Sequence, residues 1–359
     1  MRIVRLVSEL DFGGLEKVVE LASLELHQRA DVELSVVVLS KGGRTSDFLS
    51  TYGIKVIVLN QNCRIPNFGL LFRLFNLFKE LQPDVLHTSG AEANFHGLIA
   101  GFLAEIKVRI GEEIGFPKHH FIWQLLFKCT YLFADIVIVI SQAVQKFIVA
   151  KGEVPLSKSI VIYNPVKGFF IPETDLMKEK FTFITVARLV PIKNINGLLL
   201  AFSQLETGNS SLIIVGDGSS RDSLYQLAVD LGISSKVQFV GFQSDVGPYL
   251  AKADCFVLPS FSEGSSVALA EAMMTGLPSI VTKIGGASEI LGKANCGILI
   301  DPYNVLELRN AMKYMIGLGY KEWHEMGKRA RDQVTNKFSP AKHVDQLQAV
   351  YGQLLDAKD

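Results

Sequence analysis

The amino-acid sequence predicts an α/β fold built from two doubly wound parallel sheets in tandem, and three observations predict it. Short apolar runs rich in Val and Ile alternate with longer helical segments. The alternation breaks once near the middle of the chain and then restarts, and a length of 359 residues fits about two domains. Two such sheets are expected to hold a ligand in a cleft at the carboxyl ends of their strands.

The first half of the chain carries six apolar runs of the length typical of buried parallel strands. The predicted strands are Arg2–Val7, Val32–Leu39, Lys55–Leu59, Val85–Thr88, Lys107–Ile110 and Ile136–Ile140. Ser141 follows the last run directly, and Ser is a favourable cap for the helix that should come next. These runs define a predicted N-terminal domain over residues 1–165.

A looser stretch with Gly168 and the mixed-charge segment Glu173–Lys180 marks the predicted domain boundary. The alternation then restarts over a second predicted domain, residues 166–338, with strands at Phe181–Val186, Ser211–Val215, Val237–Val240, Cys255–Leu258, Ser279–Val281 and Gly297–Ile300. In residues 339–359, the segment Pro340–Leu355 has apolar residues at steps of mostly three and four. This spacing predicts an amphipathic closing helix that returns toward the N-terminal domain.

The composition narrows the function classes. The chain has 36 Lys plus Arg and 36 Asp plus Glu, and residues 1–165 hold 17 of the former and 16 of the latter. This balance argues against a nucleic-acid partner, because such proteins usually carry a basic excess. The four cysteines are far apart and form neither a disulfide framework nor a zinc ligand set. We find no export signal or spanning helix, so we expect a cytoplasmic protein.

Glycines follow two predicted strands where a helix should begin. Gly13 and Gly14 come just after the first strand, and Gly216 and Gly218 follow the strand that ends at Val215. Glycine lets backbone amides approach a ligand closely, and a helix N-terminus favours an anion. Neither segment has the G-x-G-x-x-G spacing of a dinucleotide site. The alternative at both places is an ordinary strand-to-helix turn.

Two cations lie in the loop that opens the second domain, between a predicted strand and the helix predicted over Gly197–Leu205. Arg188 can bind a pyrophosphate as a fork and Lys193 as a point charge. The alternative is a solvated loop with surface cations.

The segment Pro259–Met273 is the most informative. A buried strand ends near Pro259, and a helix is predicted to start near Gly264 to Ser266, so its free amides would face an anion. Glu263 precedes this helix, and Glu271 lies about two turns further along. Two carboxylates beside an amide-rich helix start can hold the hydroxyls of a sugar nucleotide. The alternative is that Glu263 only favours the helix dipole and Glu271 faces solvent.

With these residues together, the chain resembles the family 4 glycosyltransferases of the GT-B architecture over nearly its full length. The matching pieces are Gly13-Gly14-Leu15-Glu16-Lys17, Ala134–Ser141, Ile162–Pro165, Ala187-Arg188-Leu189, Lys193, Gly216-Asp217-Gly218, Glu263-x7-Glu271 and Gly285-Gly286 with Glu289. The resemblance implies two Rossmann-like domains facing a central cleft, the first binding the acceptor and the second the donor.

The resemblance also implies a retaining transfer from a nucleotide sugar, with UDP as the expected nucleotide. The acceptor would be a glycan or lipid-linked saccharide in bacterial-type polysaccharide or glycoconjugate synthesis. No cofactor and no metal are implied. Consistent with this, the sequence contains no D-x-D pair, the carboxylate motif that holds a metal on the sugar nucleotide in the other main glycosyltransferase architecture. By position, Arg188 and Lys193 would bind the donor diphosphate and Glu263 the donor sugar. The remaining donor-side positions are Glu271 at the ribose, Gly264, Ser265, Ser266 and Val267 at phosphate and sugar, Gly241 and Phe242 at the base, and Gly13, Gly14, Gly216 and Gly218.

One departure from the family concerns the proton acceptor. Many relatives have a His at the end of the fifth strand, where this chain reads Arg109-Ile110-Gly111-Glu112-Glu113. Candidates for acceptor contact or proton acceptance are His96 on the neighbouring helix and Glu112. The alternative for His96 is a helix residue satisfied within the fold, so the base stays unassigned.

Two apolar segments, Asn67–Leu81 and Phe121–Phe133, are relevant to the kind of acceptor. Lys and Arg are interspersed among their Phe and Leu residues. Lys118, His119 and His120 precede the second. We expect helices buried between layers for most of this surface. The alternative is weak peripheral contact with the inner face of a membrane beside a lipid-linked acceptor.

Two other functions stay open. The missing His would suit a nucleotide-sugar-binding protein that has lost catalysis, and a GT-B-like isomerase could act on a sugar nucleotide without an acceptor. A two-domain solute-binding protein should carry an export signal.

Overall fold

The computed structural model describes residues 1–11, 13–117, 120–168, 180–205 and 209–358. The chain divides into two compact units. The first unit consists of Met1–Pro165 together with Ser339–Asp359, and the second unit is Val166–Phe338. Lys118, His119 and most of the mixed-charge segment predicted as the domain boundary lie outside the described residues. None of the helices within these ranges is long and apolar enough to cross a membrane.

The first unit contains a parallel sheet whose strands, within the described residues, number seven and run in the order β3-β2-β1-β4-β5-β6-β7. The strands are β1 (Arg2–Val7), β2 (Glu33–Val38), β3 (Lys55–Val58), β4 (Val85–Ser89), β5 (Val108–Glu113), β6 (Ile136–Val139) and β7 (Ser159–Val161). The helices between them are α1 (Gly14–His27), α2 (Arg44–Thr51), α3 (Phe68–Leu81), α4 (Ala91–Leu103), α5 (Phe121–Thr130) and α6 (Gln142–Ala150).

The second unit repeats the plan with six described strands in the order β10-β9-β8-β11-β12-β13, all parallel. They are β8 (Phe181–Val186), β9 (Ser210–Val215), β10 (Val237–Gly241), β11 (Cys255–Leu258), β12 (Ser279–Thr282) and β13 (Gly297–Ile300). Its helices are α7 (Ile195–Ser203), α8 (Arg221–Asp230), α9 (Gly247–Leu250), α10 (Val267–Met274), α11 (Ala287–Leu291), α12 (Val305–Gly317) and α13 (Tyr320–Phe338). The predicted fold class, two doubly wound parallel sheets, is confirmed.

The sequence misses two features of the first sheet. β5 runs three residues beyond the predicted end at Ile110, and β7 is absent from the prediction. The extension carries Glu112 and Glu113, which pair with Ile138 and Val139 of β6. Carboxylates at a strand end resemble a loop in the sequence, and a three-residue strand is too short to show a pattern.

Alternate residues of β1 divide the core of the first unit into two layers. Val4 and Leu6 pack with α3 and α4, whereas Ile3 and Val7 pack with α1 and the last helix, α14 (Pro340–Asp356). Ser339 caps α14 by accepting a hydrogen bond from the amide of Lys342 at 3.4 Å. Helix α14 therefore completes the first unit, with Leu347 and Tyr351 in its core.

A buried polar cluster lies between the sheet and α14. Arg5 on β1 is 3.3 Å from Glu112 on β5, and both side chains are almost completely buried. Ser89 donates to the same Glu112 oxygen, and the Nε2 atom of His87 is 3.3 Å from it. Tyr351 of α14 is 2.6 Å from the Nδ1 atom of His87. Burial alone would raise the pKa of Glu112, but His87, Arg5 and Ser89 lower it to about 2.

His343 of α14 makes the stability of this unit depend on pH. Its Nδ1 atom is 2.9 Å from the carbonyl oxygen of Tyr163, and burial lowers its pKa to about 4. Between this value and the ordinary value of 6.5, the unfolded chain binds a proton that the folded chain does not. The free energy of unfolding should therefore fall by roughly 2 to 3 kcal/mol between pH 7 and pH 4.5 on account of His343.

Urea unfolding at both pH values tests this prediction in the wild type, in His343→Gln and in the exposed-site control His27→Gln. We expect the pH dependence of the free energy of unfolding to be flatter in His343→Gln than in the wild type, and to be unchanged in His27→Gln. An unchanged slope in His343→Gln would contradict the assignment.

Candidate active site

The second unit brings two predicted site residues together at the carboxyl edge of its sheet. The Nζ atom of Lys193 lies 2.7 Å from an Oε atom of Glu263. Their side chains are 16% and 8% exposed, so the pair is largely withdrawn from water. Lys193 ends a single 3-10 turn, Pro191–Lys193, that follows β8, and Glu263 lies in the loop after β11.

Asn194 holds the loops of this site in place, a role that the sequence analysis missed. Its side-chain amide donates to the carbonyl oxygens of Pro259 at 3.1 Å and Pro302 at 2.8 Å. Its Oδ1 atom accepts a hydrogen bond from Gly197 at the start of α7. The helix cap could be recognised from the sequence, because Asn before a helix is a common cap. The two carbonyls could not, because they come from loops 65 and 108 residues away.

Arg188 is exposed in the loop after β8, and its guanidinium forms no hydrogen bond or ion pair with the described residues. The backbone around it is fixed, since Ala187 donates to Val215 at 3.1 Å and Leu189 donates to Asp217 at 2.8 Å. A fixed backbone with an open guanidinium leaves the charge available to an anion.

Gly216 and Gly218 make room for the Arg188 loop. A Cβ on Gly216 would lie 1.9 Å from the carbonyl oxygen of Ala187, and one on Gly218 would lie 2.4 Å from that of Leu189. Gly216 also has a φ of +135°. Both predicted donor-binding glycines thus have a packing role, and the structure brings them next to the loop that carries Arg188.

The loop from Glu263 to Val267 is held by the later glycine pair. The amide of Gly286 donates to the carbonyl oxygen of Glu263 at 2.8 Å, and a Cβ on Gly285 would lie 2.0 Å from that oxygen. Gly264 and Ser265 are partly exposed in this loop. Together these contacts fix the backbone of Glu263 in front of α10.

Helix α10 begins at Val267, directly after the predicted start near Gly264 to Ser266, and Ser266 is its cap. The hydroxyl of Ser266 accepts from the amide of Leu269 at 3.1 Å, so it is occupied by the helix. A helix start carries unpaired amides and a partial positive charge. Glu271 lies in the second turn and is buried, which contradicts the alternative of an outward-facing side chain.

Gly241 and Phe242 lie at the end of β10. Gly241 is the last residue of the strand, and its carbonyl oxygen accepts from the amide of Gly216 at 2.8 Å. Phe242 is 44% exposed. This contact joins the predicted base pocket to the turn beneath the Arg188 loop.

The first unit has a pocket of about 480 Å³ at the carboxyl ends of its strands. Carboxylates line it at Glu9, Glu16, Glu92 and Glu113. Helix α1 begins at Gly14, directly after Gly13. Of the predicted segment Gly13 to Lys17, Leu15 and Glu16 in the first turn line the pocket.

His96 does not line this pocket, and its ring instead connects two helices of the fold. Its Nε2 atom accepts a hydrogen bond from the amide of Asn67 at 3.1 Å, and its Nδ1 atom lies 2.8 Å from the carbonyl oxygen of Glu92. Burial lowers the pKa of His96, so the ring is neutral, with Nδ1 donating. Both nitrogens are occupied in joining α4 to the start of α3, which is the alternative stated for this residue.

Glu112 is equally ill suited to accept a proton. It is buried beneath α14 and held as a carboxylate by His87, Arg5 and Ser89, which lower its pKa to about 2. Such a group is a weak base at neutral pH. Its neighbour Glu113 lines the pocket instead and accepts a hydrogen bond from Tyr131. Across the described part of the chain, no three His, Cys, Asp or Glu residues form a cluster that could hold a metal ion.

Two protein-family models match consecutive parts of the chain. The model of Glycosyltransferase Family 4 matches residues 12–167, and that of Glycosyl transferases group 1 matches residues 167–333. A similar protein is the Escherichia coli UDP-Gal:alpha-D-GlcNAc-diphosphoundecaprenol alpha-1,3-galactosyltransferase. It is 27% identical, over 94% of this chain and 93% of that protein.

Solved structures share the fold. HepE of Anabaena in complex with UDP superimposes with a TM-score of 0.82 at 22% identity, covering 98% of this chain and 100% of that one. Sucrose-phosphate synthase from Thermosynechococcus elongatus superimposes with a TM-score of 0.81 at 18% identity, covering 99% and 100%. Both are two-domain proteins of the same architecture.

The packing at Gly216 generates a stability prediction. Gly216→Ala should lower the free energy of unfolding by roughly 2 kcal/mol or more, because the new methyl group meets backbone and φ is positive. Gly232→Ala is the matched control, since it has a φ of +68° but open space around the added Cβ. We expect the control to lose about 1 kcal/mol from strain alone. Equal losses in urea unfolding would contradict the contact with Ala187.

Proposed function

The chain belongs to the family 4 glycosyltransferases of GT-B architecture, and from this membership we propose the reaction that it performs. It transfers a sugar from a UDP-sugar to a lipid-linked saccharide, with retention of configuration at the anomeric carbon and without a bound metal. The observation that carries this proposal is the Lys193–Glu263 pair on the same loop system as the open guanidinium of Arg188.

The charges of the site suit the leaving group. When the bond from the anomeric carbon to the diphosphate breaks, negative charge develops on the diphosphate oxygen. Glu263 neutralises much of the charge of Lys193, so Arg188 and the amide-rich start of α10 supply most of the positive potential. An ammonium has three donors, and Glu263 engages one of them. Lys193 can therefore hold Glu263 and a phosphate oxygen together.

The carboxylates bind hydroxyl groups of the donor. Glu263 is held at its backbone by Gly286 and at its side chain by Lys193, so it presents a fixed oxygen to the donor sugar. Glu271 is assigned to the ribose hydroxyls, and Gly264 to Val267 to the phosphates. In forming its bond to the anomeric carbon, the acceptor hydroxyl must lose a proton. We assign neither His96 nor Glu112 to this step, because both are occupied within the fold.

The choice of UDP and of a lipid-linked acceptor is supported by the relatives. The name of the Escherichia coli relative specifies UDP-Gal and a diphosphoundecaprenol-linked sugar, and HepE was solved with UDP. The pocket of the first unit has room for a saccharide and is lined by hydrogen-bond acceptors. A lipid-linked acceptor would bring the protein to the inner face of a membrane.

Removal of either cation should abolish most of the transfer. We expect Arg188→Ala and Lys193→Ala to slow transfer roughly 10- to 100-fold, because each removes a charge-assisted contact to the leaving group. The control Lys328→Ala removes an exposed helix cation outside the site and should retain activity. UDP release from a panel of UDP-sugars is the measurement, with thermal unfolding as the check on folding.

Wild-type turnover in both site variants would overturn the assignment. A wild type whose melting temperature rises with UDP but that transfers nothing would instead be a binding protein.

Chelation and product stereochemistry test the remaining parts of the proposal. We expect EDTA to leave the rate unchanged, because two cations and a helix start replace the metal at the diphosphate. We also expect the product to keep the anomeric configuration of the donor, as read by the anomeric proton coupling in NMR. Loss of activity in EDTA that Mg²⁺ or Mn²⁺ restores, or an inverted product, would contradict the proposal.

A further inference from the structure

Helices α3 and α5 of the first unit expose large apolar side chains to solvent. On α3, Phe68 is 78% exposed and Phe72 is 68% exposed, although Leu70 and Leu74 of the same helix are buried. The expectation of helices buried between layers is therefore correct for one side of α3, and also for one side of α5, where Phe127 is buried. On α5, the exposed residues are Phe121 at 80%, Ile122 at 71% and Leu125 at 55%.

The segments around these side chains are rich in basic residues and poor in carboxylates, and Glu80 in the last turn of α3 is the one carboxylate on these two helices. Residues 60–79 and 120–134 have no Asp or Glu, but they include Arg64, Arg73, Lys79 and Lys128. The chain as a whole has equal numbers of acidic and basic residues. Exposed aromatic residues among mainly basic neighbours are the pattern that binds an anionic bilayer surface.

Both helices lie on the same side of the sheet. Each packs against α4, and the buried residues of all three face the layer that contains Leu86, Val137 and Val139. The exposed residues of α3 and α5 thus flank α4 on one surface of the first unit.

The pocket of the first unit lies near the N-terminal ends of these two helices. Cys63 lines the pocket five residues before Phe68, and Pro117 lines it four residues before Phe121. At about 3.5 Å per residue, chain length keeps the Cα atoms of Phe68 and Phe121 within roughly 18 Å of the Cα atoms of Cys63 and Pro117.

We propose that Phe68, Phe72, Phe121, Ile122 and Leu125 form a membrane-docking surface for an anionic phospholipid bilayer. The apolar side chains enter the interface, and Arg73 and Lys128 contact lipid phosphates. The benefit to catalysis rests on the proposed lipid-linked acceptor, whose saccharide would reach the pocket while its lipid stays in the bilayer. A second copy of this chain is a poor occupant, because a symmetric contact would bring Arg73 and Lys128 of both copies together, and Glu80 is the one carboxylate on these two helices.

Vesicle co-sedimentation tests the surface with phosphatidylcholine vesicles, with and without phosphatidylglycerol. We expect wild-type protein to bind the anionic vesicles roughly tenfold more strongly than the neutral ones. The triple variant Phe72→Ser, Phe121→Ser, Ile122→Ser and the double variant Arg73→Gln, Lys128→Gln should each lose binding by roughly tenfold or more. The matched control Leu306→Ser, Tyr314→Ser removes exposed apolar residues from α12 in the second unit and should bind like wild type.

Transfer to a water-soluble acceptor separates this inference from the proposed function. We expect all these variants to keep wild-type transfer to such an acceptor, since none of the changed residues lies in the site. Vesicle binding by a wild type that transfers no sugar would leave the surface standing and remove the proposed function. Absence of binding to anionic vesicles, equal binding by the triple variant, or self-association that the triple variant abolishes would overturn the docking surface.

Discussion

Both sheets are parallel throughout their described strands, and this constraint decides where the chemistry can lie. A parallel sheet gathers the carboxyl ends of all its strands at one edge, so side chains from distant parts of the chain meet there. In the second unit, that edge collects Arg188 after β8, Gly216 after β9, Glu263 after β11 and Gly285 after β12. In the first unit, the same edge carries the acidic pocket. Most of the predicted donor contacts therefore come from the loops at these strand ends, whereas Val267 and Glu271 lie on α10 and Gly241 ends β10.

The loops of the second unit are fixed by backbone contacts, and the charges are left to act on a ligand. Gly216 and Gly285 each let a neighbouring carbonyl approach to a distance that a Cβ would forbid. Asn194 then joins three loops through its amide. A preorganised site of this kind has little left to rearrange when charge develops on the leaving group, which is where electrostatic stabilisation acts. Lys193 is already paired with Glu263, so in the proposed reaction the unpaired guanidinium of Arg188 would be the charge most available to the diphosphate.

Local patterns in the sequence predict most of the fold, including the bounds of β8, β11 and β13, because buried parallel strands are continuous apolar runs. They also identify Lys193 and Glu263, but their pairing across 70 residues is a property of the folded chain. The end of β5 is missed for a related reason. Glu112 is buried beside Arg5, which lies 107 residues earlier and supplies a compensating charge, and no local window contains both residues. The same ion pair makes Glu112 a weak base. The contact between Glu112 and Arg5 therefore explains both why the sequence misses the end of β5 and why Glu112 is not the proton acceptor.

The neutrality of the chain conceals a local separation of charge that fits the proposed acceptor. Carboxylates are absent from residues 60–79 and 120–134, yet Glu9, Glu92 and Glu113 line the pocket beside them. A lipid-linked saccharide has the same division, with an anionic diphosphate between its lipid and its hydroxyl-rich sugar. The diphosphate would be stabilised beside Arg73 and Lys128 and repelled from the pocket, whereas carboxylates accept hydrogen bonds from sugar hydroxyls. Electrostatics alone would thus orient such an acceptor with its sugar inward, before any specific contact forms.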